Sequence, residues 1–183
     1  NTAHELGHKS GRYEQLAARL INGLSWYGHF TREHNSGHHI EVATPEDSAS
    51  ARYGESLFAF MTREIPDGVR RGFRIERSLL SRRGLSFWHW RNEILQCYAV
   101  SMVIGAACLA AFGWITIPFL LVHNFFSWMQ LTLANYVEHY GLKRELRPDG
   151  KYEPCQPRHS WNTNHIFSNL LLFHLQRHSD HHA

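Results

Sequence analysis

Residues 94–137, ILQCYAVSMVIGAACLAAFGWITIPFLLVHNFFSWMQLTLANYV, run for 44 positions without one Asp, Glu, Lys or Arg, and the rest of the chain has to be arranged around them. As a single helix the run would be about 66 Å long at about 1.5 Å per residue, roughly twice the hydrocarbon core of a bilayer. Two membrane spans are therefore expected, turning near Gly113 and Pro118. A buried helix pair in a soluble protein would carry a polar stripe, and this run has none. Arg77, Arg82, Arg83 and Arg91 precede the run and Lys143, Arg144, Arg147 and Lys151 follow it, while the turn is uncharged. Both ends of the hairpin are thus expected on the cytoplasmic side.

Working outward, residues 63–83 hold seven arginines, with Arg52 just upstream, interleaved with Val69, Phe73, Ile75, Leu79 and Leu80. That pattern fits an interfacial helix on anionic lipid better than a nucleic-acid site. Arg70, Arg71 and Arg74 could also dock an acidic electron carrier. Residues 11–30 place Leu16, Leu20, Leu24 and Tyr27 on one helical face, expected to be buried. Thr44, with Pro45, Glu46 and Asp47 behind it, has the signature of an N-cap, so a surface helix is expected to begin there. No strand alternation, repeat or linker is present, and the class is all-α.

The 183 residues include 15 His, 24 aromatic side chains and a net charge of +3, which excludes a disordered chain. Cys97, Cys108 and Cys155 are too few and too far apart for a disulfide framework, an iron–sulfur cluster or a CxxC pair, and fit a reducing compartment. Electrons for any redox reaction must come from elsewhere. The chain opens three residues before its first histidine cluster and stops one after its last, as expected for an internal piece of a longer protein. One catalytic domain is expected over 1–183, with a cap at 1–93, the spans at 94–137 and the remaining clusters at 138–183.

The chemistry is concentrated in histidines. HELGHK sets His4 and His8 one helical turn apart, EHNSGHH supplies His34, His38 and His39, NYVEHYGL supplies His139, and HSDHH supplies His178, His181 and His182. Imidazoles at i and i+4 share a helix face and can grip one ion. Nine exceed the four to six that one transition ion takes, so a dinuclear site is inferred. Glu5, Glu33, Glu138 and Asp180 stand beside these histidines and are expected to accept the second ring N–H; Glu138 has a ligand or bridging role as an alternative. No further catalytic residue is expected beyond the metal centre. Phe112, Phe119, Phe125, Phe126 and Trp128 are candidates for the wall of an apolar tunnel. Of the remaining histidines, His174 stands one turn before His178, and His165 is the one to test first.

Two rival readings exist. HELGH matches the zinc-protease pattern HExxH, with Glu5 as base and Glu14 as third ligand, but leaves seven histidines unused. A metal storage or transport module would bind ions without turnover.

The four histidine boxes in this order, with SRRG at 81–84, NEILQ at 92–96 and SWNTNHIFSNLLLFHLQRH at 160–178, resemble the bacterial membrane alkane 1-monooxygenases; the HYG box distinguishes these from the fatty-acid desaturases of the same plan, and a related histidine-box desaturase or hydroxylase is the further alternative. The resemblance covers the whole chain. It implies an all-helical, six-span enzyme of the bacterial inner membrane with its active site on the cytoplasmic side. It also implies two non-haem irons held by the nine histidines, O2 as co-substrate, an n-alkane as substrate, and electrons from rubredoxin and its NADH-dependent reductase.

Overall fold

The computed structural model describes residues 2–172 and 175–182, so the expectation for His174 lies outside the described residues. The chain is helical in the order α1 (Thr2–Gly7), α2 (Arg12–Leu24), α3 (Phe30–Glu33), a π-helical turn (His34–His38), α4 (His39–Glu41), α5 (Leu57–Arg82), α6 (Glu93–Phe112), a 3-10 turn (Gly113–Ile115), α7 (Thr116–Glu138), α8 (Ile166–Leu171) and α9 (His178–His181). Among the described residues there is no strand, only one isolated bridge between Leu146 and Tyr152.

The apolar run forms α6 and α7. Asn92 caps α6 by accepting the Leu95 N–H at 3.0 Å. Gly113 ends it at φ +70°, a conformation that favours glycine. Pro118 sits in the first turn of α7, where its missing N–H costs nothing. Thr116 donates back to the Cys108 carbonyl at 3.1 Å, and Gly105 lies opposite Leu120. The stretch Glu93–Glu138 is long and apolar enough to cross a membrane, and only 11% of its most apolar window is buried within the protein. Most of its surface is therefore left uncovered by the described residues.

Helix α2 forms as the periodicity requires, but its buried face is different. Leu16, Leu20 and Leu24 are about half exposed, whereas Ala18, Asn22 and Gly23 are buried. The reason is closeness: a Cβ on Gly23 would stand 2.7 Å from the Val100 side chain, and one on Gly28 2.8 Å from that of Cys97. Small residues let this segment lie against α6, and the leucines are left on the outer side. Tyr27 is buried as expected.

The helix expected from Thr44 does not start there. Asp47 folds the segment into turns by accepting from the Ala49 N–H at 3.1 Å and the Ser50 hydroxyl at 2.6 Å, and Ser50 in turn accepts from the Ala43 N–H. These local bonds compete with the helical ladder, and α5 begins instead at Leu57, with Ser56 as its cap. Arg71, one of the expected docking arginines, is buried on α5; it pairs with Glu33 at 3.1 Å and Glu41 at 2.7 Å and holds the cap together. Arg70 and Arg74 remain exposed.

Gly72 brings α5 against α3, because an added Cβ would lie 2.9 Å from the His29 Cβ and 3.0 Å from its carbonyl oxygen. Backbone cannot swing aside as a side-chain end can. Gly72→Ala is expected to destabilise the protein by about 1–3 kcal/mol, read as a lower melting temperature of the detergent-solubilised protein; an unchanged one would contradict this packing.

Candidate metal centre

The histidines converge because each box is held by a different element. α1 presents His4, and His8, just beyond its end, stands beside it with ring centroids 5.2 Å apart. The π-helical turn widens the next segment so that His34, His38 and His39 diverge, His34 and His39 to one side and His38 to the other. His139 terminates α7, and α9 carries His178 and His181, with His182 just beyond its end.

All nine fall into two adjoining groups, one of His4, His8, His34, His39 and His181, the other of His38, His139, His178 and His182. Within each group one ligand nitrogen per residue lies within 4.8 Å of every other. The groups touch where His39 and His182 stand 4.3 Å apart, ring centre to ring centre. In the first, the Nε2 atoms of His34, His39 and His181 lie 3.0, 3.1 and 3.4 Å from one another, and His4 Nε2 is 2.6 Å from His34 Nε2. In the second, His178 Nε2 is 3.0 Å from that of His139 and 2.9 Å from that of His182. Nitrogens bound to one ion at about 2.0–2.1 Å, at tetrahedral to octahedral angles, lie about 2.8–3.4 Å apart.

The opposite ring nitrogens show how the groups could take up a cation. His38 Nδ1 donates to Asp47 at 2.9 Å, and His139 Nδ1 donates to the His159 carbonyl at 3.1 Å. His178 Nδ1 approaches Glu138 at 3.2 Å and His4 Nδ1 approaches Glu5 at 3.4 Å. With the proton on Nδ1, each Nε2 presents a lone pair to the others. Lone pairs facing one another repel unless a cation lies between them. His38 Nε2 is fully buried with no hydrogen-bond partner, so the donor set fits a metal on the group's own geometry.

Burial, followed by the neighbouring histidines, keeps the imidazoles in the neutral form that binds metals: His8 is pushed down to about 4, His181 to about 3 and His39 to about 2. His38 goes the other way: desolvation acts most strongly, but the Asp47 carboxylate together with Glu33 and Glu138 outweighs it, and Asp47 itself falls to about 2. His29, outside both groups, is lowered by burial to about 4. A histidine with a depressed folded pKa binds fewer protons folded than unfolded. Its contribution is complete above about pH 6.5 and is lost as pH falls from there towards about 4. The metal-free protein should thus melt at progressively lower temperature as pH drops below about 6.5; a flat profile down to about pH 5 would refute it.

The sequence singled out Glu5 and Glu138, and both face imidazoles. Glu33 instead meets Arg71, and Asp180 is exposed and pairs with Arg177 at 2.7 Å. Asp47 and the His159 carbonyl were missed: Asp47 reads as a helix-start acid, and a backbone acceptor leaves no trace in residue type. His165 is exposed and stands away from both groups. Glu14, the third ligand of the protease reading, is in neither group; its carboxylate lies over Gly11.

Two openings lead to the histidines. A polar one of about 380 Å³ is lined by Glu5, His8, Lys9, His39, Arg177 and His181. A mainly apolar one of about 340 Å³, bordered by Leu133, Ala134, Val137 and Leu175, shares Ala134, Glu138 and Leu175 with a narrow slot that reaches His4, His34 and His178. Phe112, Phe119, Phe125 and Phe126 point outward, more than half exposed, and Trp128 packs on Tyr27; none of the five lines this route.

The family model described as fatty acid desaturase matches residues 1–183. The chain is 54% identical over its full length to the alkane 1-monooxygenase of Pseudomonas putida, covering 46% of that protein, and 53% identical to alkane 1-monooxygenase 1 of Alcanivorax borkumensis, covering 45%. It is 52% identical to the alkane 1-monooxygenase of Ectopseudomonas oleovorans, of which it covers 46%. The chain spans about half the length of the curated relatives it matches.

Proposed function

The chain belongs to the fatty acid desaturase family, and from that membership and its homology to the alkane 1-monooxygenases we propose that it forms the metal-binding part of a membrane enzyme that hydroxylates n-alkanes at the chain end. The observation that carries the proposal is the sorting of nine imidazoles, all but the exposed His8 buried or half-buried, into two adjoining groups of five and four. His4, His8, His34, His39 and His181 would hold one iron, and His38, His139, His178 and His182 the other. The pair would supply O2 activation, the chemistry that an unactivated C–H bond requires and that acid–base side chains lack.

The chain's own residues then have definable tasks. Asp47, the His159 carbonyl, Glu5 and Glu138 aim the rings by holding their second nitrogens. Ala134, Leu133, Val137 and Leu175 form an apolar approach in which an alkane, with no group to hydrogen-bond, is selected by shape alone. The narrow slot beyond Leu175 lies between that approach and His34 and His178, and would have to widen for a chain end to reach them. The polar opening beside His8 and Lys9 gives an electron carrier a separate way in, as rubredoxin, itself reduced by an NADH-dependent reductase, would use.

Helices α6 and α7 are proposed as a transmembrane hairpin. Exposed Trp88 and Trp90 at one end and Phe112 and Trp114 at the other stand where interfacial aromatics are found. The cap would lie on the cytoplasmic side of the bacterial inner membrane, with Arg70 and Arg74 towards anionic lipid. The test uses the full-length protein: two irons per chain and O2-dependent formation of a 1-alkanol with reduced rubredoxin are expected. One zinc per chain with no oxygen consumed would overturn the proposal.

A further inference from the structure

One row of aromatic rings runs from the histidine groups to the edge of the protein. The Phe30 ring stacks on His34 with centroids 5.0 Å apart and planes at 18°, and it meets Tyr27 at 5.0 Å. Tyr27 stacks on Trp128 at 4.8 Å and 16°. Tyr27 and Phe30 are buried, while Trp128 is half-buried and anchored by its indole N–H to the Ser25 carbonyl at 2.9 Å. Packing alone would be served by phenylalanine at every position. Tyrosine and tryptophan are the side chains in this row that give up an electron readily, and Phe30 bridges them to a ligand of the centre.

A phenol that loses an electron must also shed its proton. Tyr27 borders a small, partly open space of about 10 Å³ together with His34, Glu33, Glu64 and Asn135, room for about one water molecule. Glu64 is buried on α5, its carboxylate fixed by the Thr132 hydroxyl at 2.9 Å and the Asn135 amide at 3.3 Å. It has no part in holding the histidines. Burial, then the Glu64 and Glu33 carboxylates, hold the phenol neutral, so electron and proton leave together.

We propose that Tyr27 and Trp128 form an electron-donating branch that re-reduces the metal centre when it is oxidised with no alkane in place, with Glu64 taking the phenol proton, and so protects the histidine ligands from oxidation. The inference rests on the reading of the two groups as an O2-activating centre. In the first step the Tyr27 O–H bond breaks, one electron passes to the centre and the proton passes to Glu64, leaving a tyrosyl radical. The tyrosyl oxygen then takes an electron from the Trp128 indole and regains its proton from Glu64. A lipid-soluble hydroquinone at the exposed edge of Trp128 restores the indole by giving one electron and releasing a proton.

The test uses the iron-loaded full-length protein, supplied with O2 and reduced carrier but no alkane, freeze-quenched for electron paramagnetic resonance and digested for peptide mass spectrometry. An organic radical is expected, assigned by deuterated tyrosine or tryptophan, with oxidation products on Trp128. Tyr27→Phe should bind the same iron at the start, lose the radical, accumulate oxidation on His34 and its neighbours, and inactivate after several-fold fewer cycles. Trp128→Phe should confine the radical to tyrosine, and it carries the test if Tyr27→Phe loses iron. Oxygen consumption by the wild type with no radical, no oxidation at Tyr27 or Trp128 and variants that survive as long as the wild type overturns this inference while leaving the proposed function standing. No metal-dependent oxygen consumption at all overturns both.

Discussion

Under the proposed function, replacing His139 with alanine is expected to reduce bound metal by about half and to lower hydroxylation by more than about 100-fold, since even partners that only orient a ligand are worth 10–100-fold. His139 is fully buried, its Nε2 lies 3.0 Å from that of His178, and its Nδ1 is committed to the His159 carbonyl. Alanine leaves that carbonyl without its donor and leaves the smaller group with three nitrogens. The other group of five imidazoles is untouched, so the loss should be confined to one ion. Metal analysis of the purified protein with product detection checks both halves. Full activity would remove His139 from the centre, and loss of both metals would show that the two groups do not fill independently.

Asp47→Asn should have the next largest effect, at a residue that touches no metal. Asp47 is buried and accepts from His38 Nδ1 at 2.9 Å, the Ser50 hydroxyl at 2.6 Å and the Ala49 N–H at 3.1 Å. The amide keeps the shape but loses the charge that holds the His38 proton on Nδ1, freeing the ring to take the other tautomer. Metal affinity is expected to fall about 10–100-fold. Titration of the metal-free protein reads this directly, and excess metal should restore activity in Asp47→Asn but not in the His139 variant. Unchanged affinity would show that the ring is oriented by packing alone.

The second prediction concerns the far nitrogen of a candidate ligand, and that is where reading the sequence stopped short. The Asp47 carboxylate reaches His38 through a loop of turns, a spacing with no helical period to reveal it. Glu33 and Asp180 looked equivalent to Glu5 and Glu138 by adjacency. Adjacency in sequence does not say which way a carboxylate points, and both turned to arginines instead. The same limit applied to α2, where the leucine stripe identified the helix but not its buried side.

What the sequence determined by itself is the uncharged 44-residue run with its helices, the break at Gly113, and the nine imidazoles. Each follows from residue type over a short range, because apolar length, left-handed glycine and one-turn histidine spacing are local properties. What only the tertiary structure decided is the division of those imidazoles into five and four, the identity of the atoms that hold their far nitrogens, and which helix face closes on α6. Those depend on where elements far apart along the chain meet. There a glycine that permits contact or a backbone carbonyl that accepts a proton counts for more than any pattern along the chain.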